Sequence, residues 1–152
     1  MKMRSKDLLL IMSAVFLGAF TLTGCSDDDD DISLSDVPSA VQETFYSMFP
    51  GVTAHWELVK TYYEAEFEQN GKEVDVWFSA DGTWLRTETE YTGTLPSAVT
   101  AYIATNYPDY TIDSDDIEYV ETPSGDYYKI EIEKKGSSDI ELKITADGEL
   151  FT

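Results

Sequence analysis

The chain contains few of the side chains that usually carry catalysis. His55 is its only histidine and Cys25 its only cysteine, whereas aspartate and glutamate together number 30. A catalytic triad or a histidine-based metal site would therefore depend on His55 alone. Because His55 lies beside Trp56 on a predicted strand, we interpret it as a structural or surface residue. Carboxylate pairs like those of glycosidases arise by chance among so many acids, so we predict no enzyme and no cofactor.

Metal and phosphate sites are not predicted either. Asp113, Asp115 and Asp116 offer oxygen ligands of the kind that calcium prefers. They lack the loop glycine and the terminal glutamate of an EF-hand, so we expect no metal there. The glycines fall at predicted turns, and none forms a phosphate-cradling loop.

The residues before Cys25 indicate the cell envelope. Three basic residues among the first six precede an apolar run, residues 8–20, which is shorter than the roughly 20 residues of a transmembrane helix. This order is typical of a secretory signal. Leu22-Thr23-Gly24-Cys25 resembles the lipobox of bacterial lipoproteins, in which the cysteine is lipidated and becomes the first mature residue. We therefore predict a signal peptide over 1–24 and a lipid anchor on Cys25; an ordinary signal peptide or an uncleaved anchor is the alternative.

An acidic run, Asp27–Asp31, follows the predicted anchor. Five adjacent carboxylates repel one another and stay solvated, which predicts an unstructured tether over 25–35. The run also resembles the acidic export signal that sends lipoproteins to the surface in one group of Gram-negative anaerobes. This resemblance implies an outer-membrane lipoprotein exposed on the cell surface; an anchor facing the periplasm is the alternative.

Charge and aromatic content narrow the range of partners. Without residues 1–24 the chain has 7 basic and 29 acidic residues, a net charge of −22. Such acidity argues against nucleic acid and anionic lipid surfaces as partners, and it favours solubility or a basic partner. Three tryptophans and ten tyrosines argue against a disordered acidic chain. The length suits one domain.

One sequence pattern occurs twice. Val37-Pro38-Ser39-Ala40-Val41 corresponds to Leu95-Pro96-Ser97-Ala98-Val99, and Ala80-Asp81-Gly82 corresponds to Ala146-Asp147-Gly148. After each proline, apolar residues recur at three- and four-residue steps, which predicts one helix per copy. Repeated units of this kind usually share a core. We place the two copies at 36–92 and 93–152.

The remainder of each copy alternates apolar and polar residues, as strands with one buried face do. Asn70-Gly71 and the two Asp-Gly pairs predict the turns between these strands. The predicted strands, in chain order, lie near 53–60, 63–68, 74–79, 83–91, 112–121, 128–133 and 140–144, with a stub ending at 152. We predict an α+β fold of two tandem repeats, each a helix and four antiparallel strands. The helices should cover one face of a shared or contiguous sheet.

Several of these motifs point to one family. The Val37–Val41 segment, Phe49-Pro50, Tyr63–Phe67 and Val74–Gly82 resemble motifs of the PepSY-like family of secreted bacterial proteins. The resemblance covers about 37–152 and is weaker in the second copy. It implies a fold like that of the β-lactamase inhibitor protein, with tandem repeats and a concave sheet. The resemblance makes an inhibitor-like role possible but does not establish it, because fold kinship does not fix function. It also identifies no catalytic residue.

The open face of the predicted sheet is the candidate binding surface. Trp77 is out of phase with the buried residues of its strand, so we expect it to face solvent with Glu66 and Asp75. Trp77 and Trp84 could stiffen the sheet by cross-strand contact or anchor a protein interface. We predict a non-catalytic, inhibitor-like binding module whose partner is an extracytoplasmic protein or peptide. The alternative is a glycan- or cation-associated surface lipoprotein.

Overall fold

The computed structural model describes residues 29–152. Its elements, in chain order, are β1 (Asp29–Asp31), a 3-10 helix (Leu34–Asp36), α1 (Ser39–Met48), β2 (His55–Val59), β3 (Tyr62–Gln69), β4 (Lys72–Ser79), β5 (Trp84–Glu90), α2 (Ser97–Asn106), β6 (Thr111–Glu121), β7 (Tyr127–Glu133) and β8 (Ile140–Ile144). The predicted signal peptide and Cys25 lie outside the described residues. Within residues 29–152, no helix has the length and apolar character needed to cross a membrane.

The eight strands form one antiparallel sheet in the order β1 to β8. Asn70 and Gly71 have φ values of 55° and 75°, the left-handed conformation that a two-residue hairpin turn requires between β3 and β4. The prolines at positions 38 and 96 directly precede α1 and α2, where their fixed φ suits the start of a helix. The predicted α+β class, with two helices on an antiparallel sheet, is confirmed.

Two apolar clusters lie between the helices and the sheet. Val41 and Phe45 of α1 pack in a first cluster with inward side chains of β2, β3 and β4. Val99 and Ile103 of α2 pack in a second cluster with side chains of β6, β7 and β8. Residues paired across strands point to the same side, so the pairing from β4 to β7 places both helices on one face.

The two Asp-Gly turns press against the starts of the helices. A Cβ added to Gly82 would lie 2.5 Å from the carbonyl oxygen of Ala40, and one added to Gly148 would lie 2.7 Å from that of Ala98. Both glycines also have positive φ, 84° and 83°. Only glycine fits such a conformation and such an approach. This contact explains why the Asp-Gly pair and the alanine at the helix start occur together in both halves of the chain.

The end of the acidic run is an edge strand, which corrects the expectation of an unstructured tether. Asp29–Asp31 pairs with β2, and Asp31 lies opposite Glu57. Strand pairing uses the backbone, so the Asp31 side chain stays 71% exposed and its charge stays solvated. Ile32 then packs against the first apolar cluster, which holds the strand in place.

The last strand of the second half is also different from the expectation. After Gly148 the chain makes an isolated bridge between Ile144 and Leu150 instead of a fourth strand. Phe151 stacks on Tyr127, with 4.4 Å between the ring centroids, while its N–H donates to the carbonyl of Lys143. The ring contact holds Phe151 against β7, while its backbone stays hydrogen-bonded to β8.

Candidate partner-binding face

The sheet face opposite the helices, here called the open face, concentrates charge. On β3, β4 and β5 it presents seven carboxylates and one arginine, together with Trp77; the charged residues are Glu64, Glu66, Glu68, Glu73, Asp75, Arg86, Glu88 and Glu90. The helices carry almost none: α1 has the single charged residue Glu43, and α2 has no charged residue. The two α-helices and the open face of β3 to β5 therefore differ sharply in charge.

Three of the four predicted site residues lie together on the open face. Glu66 is directly opposite Asp75, and Trp77 is the next open-face residue of β4, opposite Glu64. Asp75 is only 3% exposed, so it lies beneath the surface and is not a solvent-facing contact as expected. These residues form one continuous patch across β3 and β4.

Trp84 does not join that patch. A bulge places Trp84 opposite Phe78 while Arg86 remains opposite Trp77, so β5 has one extra residue at this point. One extra residue moves a side chain to the other face of a sheet. Trp84 therefore packs against the first apolar cluster, and its Nε1–H donates to Thr87 Oγ1 at 3.0 Å. Its predicted place in the partner-binding set is corrected.

Trp77 is half-buried and held from one side. The Arg86 guanidinium carbon lies 4.0 Å from the centroid of the Trp77 ring, a cation–π contact. The indole Nε1 is buried and makes no hydrogen bond with any residue in 29–152. The Arg86 contact supports a sheet-stiffening role for Trp77. The indole N–H that has no acceptor supports a role as an interface anchor, so both explanations stay open.

An ion-pair network crosses the middle of the open face. Arg86 Nε lies 2.7 Å from Glu88 Oε1, and Lys129 Nζ lies 2.9 Å from Glu88 Oε2. Lys129 also pairs with Glu118. Burial opposes the ionisation of Glu88, but the charges of Lys129 and Arg86 outweigh burial and lower its pKa to about 2. The network joins β5, β6 and β7, and so it links the two halves of the sheet.

Glu64 has the opposite electrostatic environment. Burial is the main cause that raises its pKa to about 8, and the charges of Asp75, Glu57 and Glu88 add to the effect. Glu57 lies directly opposite Glu64 on β2. At pH 7 Glu64 is therefore mainly protonated, and its O–H is a hydrogen-bond donor.

Comparison with known proteins agrees with this fold. Residues 61–152, more than half of the chain, match the PepSY-like family, which is described as beta-lactamase-inhibitor-like. The chain belongs to the PepSY-like family. No curated protein matches it. The family resemblance inferred from the sequence motifs is thus confirmed.

Solved structures of Bacteroides proteins resemble this PepSY-like protein over most of its length. A DUF2874 family protein of Bacteroides ovatus ATCC 8483 has a TM-score of 0.65 and 27% identity, covering 76% of this chain and 84% of its own. A BLIP-like protein (resembling the β-lactamase inhibitor protein) of Bacteroides fragilis NCTC 9343 has a TM-score of 0.62 and 29% identity, with the same coverage. A Bacteroides eggerthii DSM 20697 protein named for a periplasmic location has a TM-score of 0.65 and 25% identity, covering 76% and 86%. This BLIP-like fold suggests an inhibitor-like or binding module.

Atoms that could ligate a cation lie close together at three places within residues 29–152 of this PepSY-like protein. Nε2 of His55 lies 3.0 Å from Asp31 Oδ1 and 3.4 Å from Glu57 Oε1. The other two groups are Asp75–Glu88–Glu118 and Asp113–Asp116–Glu131. Arg86 and Lys129 already engage the first of these two groups. Exposed acidic groups are common without an ion, so the geometry alone assigns no metal.

Sequence reasoning missed the residues that set the electrostatics of the face. Strand alternation predicts Glu64 and Lys129 only as polar positions, and it predicts no role for Arg86. Alternation did place Glu64 on the same face as Trp77 and Glu66, which was the available signal. The burial of Glu64 and the pairing of Arg86 with Glu88 depend on neighbouring strands, which no local pattern reports.

Proposed function

We propose that this PepSY-like protein is a non-catalytic lipoprotein of the cell envelope, and that its open face binds a protein or peptide outside the cytoplasm. The observation that supports this most is the segregation of charge between the open face and the helix layer. Charge placed on one face steers and orients a partner toward that face. The BLIP-like relative supports an inhibitor-like or binding role, because its fold is the same.

A glycan partner has less support than a protein partner. Sugar recognition by aromatic residues needs a free ring face, and Arg86 occupies one face of Trp77. Trp84 packs against the first apolar cluster, so it adds no second ring on the open face. A protein partner instead uses charge and a half-buried tryptophan together, as interface hot spots do.

Site-specific photo-crosslinking tests the binding surface. A photoreactive amino acid replaces Glu68, an exposed open-face residue of β3, or Glu43, an exposed residue of α1, in cells of the source organism. We expect a discrete crosslinked protein from position 68 and none from position 43. Because both positions replace one exposed glutamate, charge and exposure are matched. Crosslinks from position 43 alone, or from neither, contradict the proposal.

The anchor has its own test, since Cys25 lies outside the described residues. Cys25→Ser removes the thiol that lipidation requires, so the variant should lose palmitate labelling and leave the membrane fraction. Wild-type protein labelled in parallel is the control. Normal labelling of the variant would show that Cys25 is not the anchor.

A further inference from the structure

Carboxylates face one another across strands on the open face. The register places Glu57 opposite Glu64, Glu66 opposite Asp75, and Asp75 opposite Glu88. Burial and the neighbouring carboxylates keep Glu64 protonated at pH 7, whereas Arg86 and Lys129 keep Glu88 ionised. The rows give the open face one predominant sign of charge, which favours a partner of the opposite sign.

The surroundings of Glu64 show where a positive charge has the largest effect. Arg86 and Lys129 pair with Glu88, at 2.7 and 2.9 Å. Their charges therefore stabilise the Glu88 carboxylate and do not offset the effect of the carboxylates around Glu64. The side chains that face Glu64 from neighbouring positions are His55 and Glu57 on β2, Tyr62 and Glu66 on β3, Asp75 and Trp77 on β4, and Arg86 and Glu88 on β5. The carboxylates among them act together with burial to raise the pKa of Glu64.

Building on the open-face function proposed above, we propose that the protein partner inserts a lysine or arginine side chain over Glu64 and Glu66, beside Trp77. Charge complementarity selects a basic side chain, because the patch is acidic, whereas α1 and α2 together carry the single charge of Glu43. Glu64 and Glu66 are both partly accessible, unlike Asp75 beneath them. The partner is therefore a protein or peptide with an exposed basic residue.

Binding of this kind releases a proton. A nearby cation favours the carboxylate form of Glu64, so its O–H bond breaks and the proton passes to solvent. No covalent bond forms with the partner. Because Glu64 is mostly neutral at pH 7 and mostly ionised at pH 9, release should occur at pH 7 and vanish at pH 9. Affinity should rise with pH up to about 8, by at most about tenfold per pH unit.

Calorimetry with a defined probe tests the inference. The full-length chain in neutral detergent is titrated with decalysine at pH 7, in buffers of different ionisation enthalpy, with decaglutamate as the control peptide. We expect the wild-type protein to release close to one proton per bound peptide. Glu64→Gln should release none, and its affinity should not change between pH 6 and pH 8. Glu43→Gln removes one exposed carboxylate from the helix layer and should behave as the wild type.

The outcomes separate this inference from the proposed function. No binding of decalysine, equal proton release by wild type and Glu64→Gln, or the same loss in Glu43→Gln would overturn the basic-residue proposal. If crosslinking from position 68 succeeds while proton release fails, the open face still binds a partner, but without a cation over Glu64. If crosslinking fails, the open-face function itself is wrong.

Discussion

At the scale of single residues, Glu64 is the group whose ionisation depends most on its surroundings. Its pKa in the folded protein, about 8, lies above its ordinary value of 4.5. The unfolded chain therefore loses this proton first as pH rises, and the contribution of Glu64 to stability falls between pH 4.5 and pH 8. The open face is thus less stable in its ionised form than in its neutral form.

Replacing Glu64 tests this account. Glu64→Gln keeps the size and hydrogen-bonding capacity of the neutral acid but cannot ionise. We expect its free energy of unfolding at pH 8 to exceed that of the wild type by about 2 kcal/mol, less than the full shift implies because partial exposure screens the charges. At pH 4.5 the two proteins should be equally stable. Urea unfolding at both pH values measures the difference, and equal stability at pH 8 would contradict the raised pKa.

Trp77 lies on the predicted face of the sheet, but its contact with Arg86 is not predictable from the strand pattern. Strand alternation put it on the open face, where it lies opposite Arg86. The sequence pattern could not show that the Arg86 guanidinium covers its ring at 4.0 Å. The ring therefore has a local packing role whether or not it contacts a partner.

At the scale of elements, the contact between each Asp-Gly turn and a helix start positions the helices on the sheet. Gly82 follows β4 in the chain and touches the backbone of Ala40 in α1. The hydroxyl of Thr44 also donates to the carbonyl oxygen of Gly82 at 2.8 Å. The turn thus sets how closely α1 approaches the sheet.

A matched pair of substitutions separates conformational strain from steric contact at this turn. Gly82→Ala and Gly136→Ala both place alanine at positive φ, 84° and 82°, but a Cβ at position 136 meets nothing within 4 Å. We expect Gly136→Ala to cost about 1 kcal/mol from backbone strain alone. Gly82→Ala should cost about 3 kcal/mol or more, because the Ala40 carbonyl must also move. Thermal or urea unfolding measures both, and equal costs would show that the turn does not press on α1.

The bulge in β5 is the element-level feature that redistributes the tryptophans. It sends Trp84 to the helix side and leaves Arg86 facing Trp77. Without the extra residue, Trp84 would share a face with Arg86 and Glu88. The composition of the open face therefore depends on one residue of strand register.

At the scale of the whole molecule, two apolar clusters share one continuous sheet. The sheet passes without interruption from β5 to β6, where Glu88 lies opposite Val120. The Glu88–Lys129 ion pair also connects β5 to β7 across this junction. A half of about 60 residues buries too little surface to be stable alone. We therefore expect the two halves to unfold together.

A core substitution in one half tests this coupling. Phe67 is 7% exposed, and its ring lies 5.0 Å from Phe49 and 5.8 Å from Phe45. Phe67→Ala should lower the free energy of unfolding by about 3–5 kcal/mol. Hydrogen exchange should accelerate equally in β4 and in β7, which belongs to the other half. Unchanged protection in β7 would show that the halves unfold independently; Glu68→Ala on the neighbouring exposed position is the control.

Much of this architecture was accessible from the sequence because its signals are local. Asn70-Gly71, the two prolines before α1 and α2, and the alternation along β3 and β4 each report the conformation of a few adjacent residues. The failures involve contacts between distant parts of the chain. Asp29–Asp31 pairs with β2, and Phe151 stacks on Tyr127, although neither segment has a strong preference of its own for that place.

Local patterns are enough to predict the family, the α+β class, and the face on which Trp77 and Glu66 lie, because side-chain periodicity follows directly from backbone geometry. Contacts between strands place Trp84 against the first apolar cluster, lower the pKa of Glu88 and raise the pKa of Glu64. Burial and charge act through space, across strands, so no local pattern reports them. Glu64 and Glu88 are equivalent in sequence terms, but Lys129 lies beside one and a row of carboxylates beside the other.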